Sequence, residues 1–276
     1  MNPKSLLDQH DVLPKKSLGQ NFLHDPNALD KILAVADVKP TDTVLEIGPG
    51  TGQLTGVLAN VAKRLVCVEI DTRMQPILDA QFGAMPHVEL VWGDFLSFDP
   101  VALAGEDYVV VANVPYYITS AILRHLLEQP IRPRRLVMTI QLEVAERVCA
   151  KPNDMSLLAV SVQYYGKPTF AGKLNAAAFW PRPEVDSALL RIDTYPTPIV
   201  DVPSSEAFFK MVKAGFSQKR KQLKNSIAAT LRWESAQIAE LGRLSEVELT
   251  RRAETLTLKE WAALTRAAEL VNPTGG

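Results

Sequence analysis

Short apolar runs alternate with segments of helical period along the first two thirds of the chain. Thr43–Ile47 (TVLEI), Leu65–Ile70 (LVCVEI), Val88–Trp92 (VELVW), Tyr108–Ala112 (YVVVA) and Leu136–Ile140 are brief and rich in Val, Leu and Ile. That pattern predicts strands, Thr43–Ile47 a buried one. Leu54–Ala62, Asp71–Phe82 and Ile118–Gln129 carry helical spacing. Pro76 then belongs in a first turn or at a kink, and Thr119 or Ser120 near a helix start. Gln141–Tyr165 reads as largely helical with a break near Lys151–Asn153, and Val185–Ile192 (VDSALLRI) as a late strand. The alternation predicts an α/β fold, an open and mostly parallel sheet with helices on both faces.

The character changes after Asp193. TYPTPIVDVPSS carries three prolines and reads as a linker. From Glu206 to about Leu270 the pattern is helical, with Ser245 and Thr257 as candidate N-caps. The expected organisation is a flexible polar arm over 1–20, an α/β domain over 21–194 and a small all-helical domain over 203–276.

Composition narrows the class. The chain has 276 residues, is 47% hydrophobic and carries a formal charge of −1. A sizeable core can be buried, and any contact with nucleic acid must rest on local patches. Cys67 and Cys149 are the only cysteines and lie far apart. Free structural thiols in a reducing cytosol are expected, with neither a disulfide framework nor a metal site. No stretch reaches the roughly 18 apolar residues of a membrane span, and the first twenty residues lack the apolar core of a signal peptide. A cytoplasmic protein with no membrane partner is expected.

The strand Thr43–Ile47 runs into Gly48-Pro49-Gly50-Thr51-Gly52. Glycines at such a turn let backbone approach a ligand closely. Glu46 precedes the turn, giving E-x-G-x-G-x-G. Glu69 ends the second strand about 20 residues on, where a carboxylate can accept from both ribose hydroxyls. These features also fit a nicotinamide cofactor, but the glycine spacing departs from G-x-G-x-x-G. Asp94, in WGDF after the third strand, can accept from an adenine amino group, and Phe95 can flank the ring. Each acidic residue alone is as well explained as a cap or turn residue. Together, at successive strand ends, they fit an adenosine with no pyrophosphate, which favours S-adenosylmethionine and a Rossmann-like methyltransferase fold.

The fourth strand ends in Asn113-Val114-Pro115-Tyr116. Strand ends at this edge of an open parallel sheet form the ligand crevice. The Asn113 side-chain oxygen and a backbone carbonyl at Val114 or Pro115 can each accept an N–H of an exocyclic amine, which aims its lone pair at a methyl donor. Tyr116 offers a face for a base. No strong base is required, because the sulfonium is already activated and positioning supplies roughly 7–11 kcal/mol. Phe179-Trp180-Pro181-Arg182-Pro183 is stiffened by its prolines. Phe179 either faces Tyr116 across a flipped base or is the buried aromatic of a rigid surface loop.

KKSLGQNFL (Lys15–Leu23), VLEIGPGTGQLT (Val44–Thr55), NVPYYIT (Asn113–Thr119), FWPRPEVDSALLRI (Phe179–Ile192) and AGFSQKRKQLKNSI (Ala214–Ile227) occur in this order. Through them the chain resembles the ribosomal RNA small-subunit adenine dimethyltransferases from Lys15 to about Ala268. The resemblance implies cofactor contacts from Asn21, Leu23, Gly48, Gly50, Glu69, Asp94 and Asn113. It implies that Asn113, Pro115 and Tyr116 hold the target adenine with Phe179 opposite. It also implies the product, two neighbouring adenosines near the 3′ end of 16S rRNA in the small ribosomal subunit, each dimethylated on N6. Val114 and Tyr117 stand where the family motif N-L-P-Y-N-I-S has Leu and Asn, and Pro152–Tyr165 resembles the family loosely.

Lys210, Lys213, Lys219, Arg220, Lys221 and Lys224 form an acid-free run, and Arg132, Arg134 and Arg135 a smaller group. If one helix spans the first run, most of its cations share a face, with Gly215 the candidate break. Such runs are often only solvated surface. Beside a nucleobase-type pocket they suit phosphate contacts, which position RNA without reading its sequence; RNA shape and an unstacked loop supply specificity. A monomer is expected. An Erm-type 23S rRNA methyltransferase shares the glycine loop and acceptor motif, and AGFSQKRKQLKNSI favours the small-subunit group. A DNA adenine methyltransferase would need a target-recognition region that is not evident. A non-catalytic ribosome-assembly factor would have no use for an acceptor motif.

Overall fold

The structure, a computed structural model, describes residues 3–272. Met1, Asn2 and residues 273–276, the ends of the expected arm and helical domain, lie outside the described residues. The elements begin with α1 (Pro3–Gln9), β1 (Phe22–Leu23), α2 (Pro26–Ala36), β2 (Thr43–Ile47), α3 (Gln53–Ala59), β3 (Arg64–Glu69) and α4 (Gln75–Phe82). Next come β4 (Val88–Trp92), α5 (Pro100–Ala104), β5 (Tyr108–Asn113), α6 (Thr119–Leu127), β6 (Arg135–Gln141) and α7 (Leu142–Val148). They continue with α8 (Leu157–Tyr165), β7 (Gly166–Leu174), β8 (Phe179–Trp180) and β9 (Ser187–Thr194). The last are α9 (Ser205–Phe216), α10 (Leu223–Leu231), α11 (Ser235–Ser245) and α12 (Leu258–Val271). The chain forms two compact units. One comprises residues up to Ala145 together with Pro168–Thr194; the other comprises Glu146–Lys167 and the residues from Tyr195 onward. Residues 146–167, expected within the α/β domain, therefore group with the helical unit.

The first unit holds a seven-stranded sheet in the order β4-β3-β2-β5-β6-β9-β7. Strands β2 to β6 pair in parallel, and β9 runs antiparallel to β6. The chain steps outward from β2 to β3 and β4, then returns to β5 on the other side of β2. Adjacent crossovers there leave on opposite faces, which opens a crevice at the carboxyl ends of β2 and β5. Val44, Leu45, Leu65, Val66, Val109, Val110, Leu136 and Met138 are fully buried. Each such side chain contributes about 1.5–3 kcal/mol.

Helix α2 shows how local chemistry sets an element. The Asp25 carboxylate accepts from Asn27 N–H at 3.0 Å, Pro26 occupies the first turn, and Asp37 closes the helix in the left-handed region. Ala28, Leu29, Ile32 and Ala36 form its buried face. Pro76 lies in the first turn of α4.

The N-terminal segment is not a polar arm. Residues Pro3–Gln9 are helical, and Leu6, Leu7 and Val12 are buried in a cluster with Phe22, Met74, Ile77, Leu78 and Phe82. Three apolar side chains docked on α4 outweigh the polarity of the residues between them. Gly166–Leu174 has no apolar run and contains Pro168 and Gly172, yet it forms the edge strand β7. An edge needs only one paired side, which tolerates such residues.

In the second unit, Tyr164 of α8 stacks on Phe208 of α9 with ring centroids 4.5 Å apart, and Trp261 of α12 is fully buried. Gly215 does not break a helix. It lies in α9 where a Cβ would meet the Trp261 ring at 2.3 Å. Thr257 caps α12 through a capping box with Glu260. Ser245 is no N-cap: it is the last residue of α11, and its hydroxyl donates to Leu241 O at 2.6 Å. The basic run is not one helix either. Helix α9 ends at Phe216 and α10 starts at Leu223, so Lys219, Arg220 and Lys221 lie in the exposed connection between them.

Candidate active site

The crevice is a cleft of about 250 Å³ in the first unit. Its lining includes Asn21, Leu23, Gly48, Gly50, Glu69, Asp94, Asn113, Pro115, Tyr116 and Phe179, so the structure brings together every site residue singled out from the sequence.

The glycine turn follows β2 directly. Gly48 N–H donates to Val68 O at 2.9 Å, which fixes the turn beside the end of β3. Gly50 has φ +57°, and a Cβ there would lie 2.9 Å from Phe22 Cδ1; the two together favour glycine. Gly50 N–H donates to Glu69 Oε2 at 2.9 Å and Asp71 N–H donates to Oε1 at 2.8 Å. Glu69 is thus locked between two backbone donors while lining the cleft. It is 5% exposed, and burial raises its pKa against the opposing pull of those two N–H groups. Asp94 is exposed, and its Oδ1 accepts from Leu96 N–H at 3.0 Å as the cap of a short 3₁₀ turn. The capping role considered from sequence is therefore real, and it coexists with a place on the cleft wall. Glu46 lies beneath the turn and not among the cleft-lining residues. It is 1% exposed, takes a hydrogen bond from the Cys67 thiol at 3.3 Å, and its Oε1 has no geometric hydrogen-bond partner among the described residues. Burial pushes its pKa up to about 7.

Asn113 ends β5. Its Nδ2 donates to Asn21 O at 3.3 Å, and its amide oxygen makes no hydrogen bond among the described residues. The Tyr116 hydroxyl and Ser187 Oγ lie 2.6 Å apart, which anchors the half-buried ring against the start of β9. Burial raises the Tyr116 pKa, so the phenol stays neutral. Phe179 is 3% exposed, and in the two-stranded pairing of β1 with β8 it sits opposite Leu23. This pairing places both the N-terminal motif and the Phe179 loop on the cleft.

Sequence reasoning missed the supports. Ser187 holds Tyr116, and Gln20 Nε2 donates to Asp71 Oδ2 at 2.7 Å, which ties the N-terminal motif to the residues after β3. Both lie inside quoted motifs or next to them, but no spacing reveals which side chains meet. Two of the three arginines grouped from the sequence are also committed elsewhere. Arg134 pairs with Asp42 at 3.0 Å and Arg135 with Asp193 at 2.8 Å, so this group is a structural ion-pair cluster rather than a free basic patch. Among the described residues, no set of three or more His, Cys, Asp and Glu side chains could hold a metal, and no helix is long and apolar enough to cross a membrane.

The donor set of the cleft decides what it can take. Two carboxylates line it, and among the described side chains no lysine or arginine does. A cationic adenosine derivative would meet a carboxylate at the end of β3 and another after β4, with no lysine or arginine among the described side chains to repel it. Sheet order, glycine turn and donor set together define a Rossmann-like methyltransferase with a separate helical unit.

Known proteins agree. The ribosomal RNA adenine dimethylase family model matches residues 13–264, and the chain belongs to that family. It is an S-adenosylmethionine-dependent rRNA adenine dimethyltransferase. A ribosomal RNA small subunit methyltransferase A of Dehalococcoides mccartyi (strain CBDB1) is 41% identical over 263 residues, 95% of this chain and 90% of that protein. The protein of the same name from Moorella thermoacetica is 40% identical over 277 residues, 96% of each. Among solved structures, a dimethyladenosine transferase from Plasmodium falciparum has TM-score 0.74 and 26% identity, covering 88% of this chain and 95% of its own. The 23S rRNA methyltransferase ErmE has TM-score 0.71 and 28% identity, covering 90% and 100%.

Proposed function

We propose that this protein dimethylates N6 of two adjacent adenosines near the 3′ end of 16S rRNA in the assembling small ribosomal subunit, as a cytoplasmic monomer. One observation carries the reading: a single cleft gathers the glycine turn, Glu69, Asp94, the Asn113–Tyr116 motif and Phe179. When bound, S-adenosylmethionine supplies an electrophilic methyl carbon on a sulfonium. Glu69, locked by two backbone N–H groups, accepts from the ribose hydroxyls; Asp94 accepts from the adenine amine. Gly48 and Gly50 let the backbone approach, and Asn21 and Leu23 close the near wall.

The target adenine leaves its stack and enters between Tyr116 and Phe179. The unpartnered Asn113 oxygen accepts one N6–H, and the backbone carbonyl of Val114 or Pro115 accepts the other. These two bonds fix the direction of the nitrogen lone pair. The neutral Tyr116 phenol, occupied by Ser187, positions the ring and takes no proton. Catalysis is then mostly a matter of orientation.

The small-subunit substrate is favoured over the large-subunit one by relatives of that name at about 40% identity across nearly the whole chain, against 28% for ErmE. In the second unit, Lys219, Arg220 and Lys221 offer an exposed basic connection for rRNA phosphates. Asn113→Ala tests the reading with labelled cofactor and unmethylated small-subunit particles. Methyl incorporation should vanish while particle binding persists. Surviving methyl transfer would overturn the Asn113 assignment, and incorporation into large-subunit RNA instead would favour the Erm-type reading.

A further inference from the structure

Tyr117 adjoins the acceptor tyrosine yet takes no part in the arrangement above. It is 66% exposed and lines the same cleft as Tyr116. Its hydroxyl makes no hydrogen bond among the described residues. So large a ring left in water forgoes most of the stabilisation that burial would give, and the local geometry shows how it is held there. Tyr116–Ile118 form a 3₁₀ turn closed by Ile118 N–H donating to Pro115 O at 3.2 Å. Within that turn Tyr116 reaches inward to Ser187, while Tyr117 is directed to the rim. One edge of the Tyr117 ring lies beside Gly19, where an added Cβ would sit 3.5 Å from Cε1. Gly19 is itself held, because Asn21 Nδ2 donates to its carbonyl at 3.1 Å. The ring therefore has Gly19 beside one edge and is open to solvent on the rest.

We propose that Tyr117 is a stacking platform for the nucleotide next to the target adenosine, a positioning contact of the methyl-transfer site. It rests on the rRNA reading above. Drawing a base into the cleft strips its neighbour of a stacking partner. A ring one residue beyond Tyr116 replaces that partner, and base–aromatic stacking tolerates any base. With two adjacent target adenosines, the neighbour is either the second target or the product of the first round. Methyl groups on N6 leave the face of the purine intact, so the same platform serves both rounds. The family motif places Asn here, which has no ring to offer.

Steady-state methyl transfer to unmethylated small-subunit particles tests this with Y117A, Y117L and Y117F. Particle KM should rise about tenfold in Y117A and Y117L, as for the removal of one base stack, and stay within about twofold in Y117F. S-adenosylmethionine Kd and Tm should not move in any of the three. An unchanged KM in Y117A, a Y117L variant as good as Y117F, or a Tm decrease that tracks the KM change would overturn the platform. If the wild-type protein itself left the particles unmethylated, the substrate reading would fall first, and Tyr117 with it.

Discussion

Replacing Glu69 by Gln keeps shape and removes charge at the point where cofactor recognition is concentrated. In the wild type, one carboxylate oxygen accepts from Gly50 N–H and the other from Asp71 N–H, at 2.9 and 2.8 Å. A glutamine offers one acceptor oxygen and one NH2 group. Whichever way it turns, one backbone N–H faces another donor. The ribose hydroxyls also lose a charged acceptor, worth about 1.5–3 kcal/mol per hydrogen bond. That corresponds to roughly 10- to 150-fold in Kd for S-adenosylmethionine. Stability is a poorer readout. The orphaned N–H costs about 1–3 kcal/mol, but the neutral amide also escapes the burial that raises the Glu69 pKa. Isothermal titration calorimetry of wild type and Glu69→Gln with S-adenosylmethionine is the direct assay, with circular dichroism to confirm the fold. A variant that stays folded and binds within twofold of wild type would refute the assignment of Glu69 to the ribose.

Two more predictions rest on particular residues. Glu46 has its pKa raised from about 4.5 to about 7, chiefly by burial, with Cys67 and Glu69 of β3 as the titratable groups facing it. A raised carboxyl binds more protons in the folded state, so its contribution is full below about pH 4.5 and is lost as pH climbs through 7. Wild-type stability should fall across that window by up to about 1.4 kcal/mol per pH unit from this group, and Glu46→Gln should flatten the slope in denaturant titrations; an identical slope would show that Glu46 does not titrate there. Changing Lys219, Arg220 and Lys221 together to Ala should weaken particle binding and reduce the slope of log K against log salt, by up to about 0.9 for each phosphate no longer neutralised. A slope equal to wild type would remove this loop from the RNA surface.

The strands β2, β3, β5 and β6 were legible because burial on both faces leaves near-continuous apolar runs, such as YVVVA; β4 reads as a strand too, but it lies at the sheet edge with none of its residues buried. The glycine turn was legible for a related reason. A positive φ at Gly50 and a neighbouring ring 2.9 Å from where its Cβ would lie together favour glycine, so the preference is written into the residue itself. Glu69 and Asn113 could be placed on one crevice from the sequence because each ends a strand, and topology delivers the carboxyl ends of a parallel sheet to one edge.

Long-range encounters decided the rest. Leu6 and Leu7 look like part of a polar tail until α4 supplies a surface for them. Whether Phe179 lined the cleft or filled a loop depended on two residues of β8 pairing with β1, which lies far off in the chain. The basic run read as one helical face until the chain turned between Phe216 and Leu223. Arg134 and Arg135 read as a free patch until the fold brought Asp42 and Asp193 to them. Local spacing encodes period, burial and backbone conformation, because these are properties of a segment. Which side chains meet across the fold depends on how segments dock, and only the tertiary structure carries that.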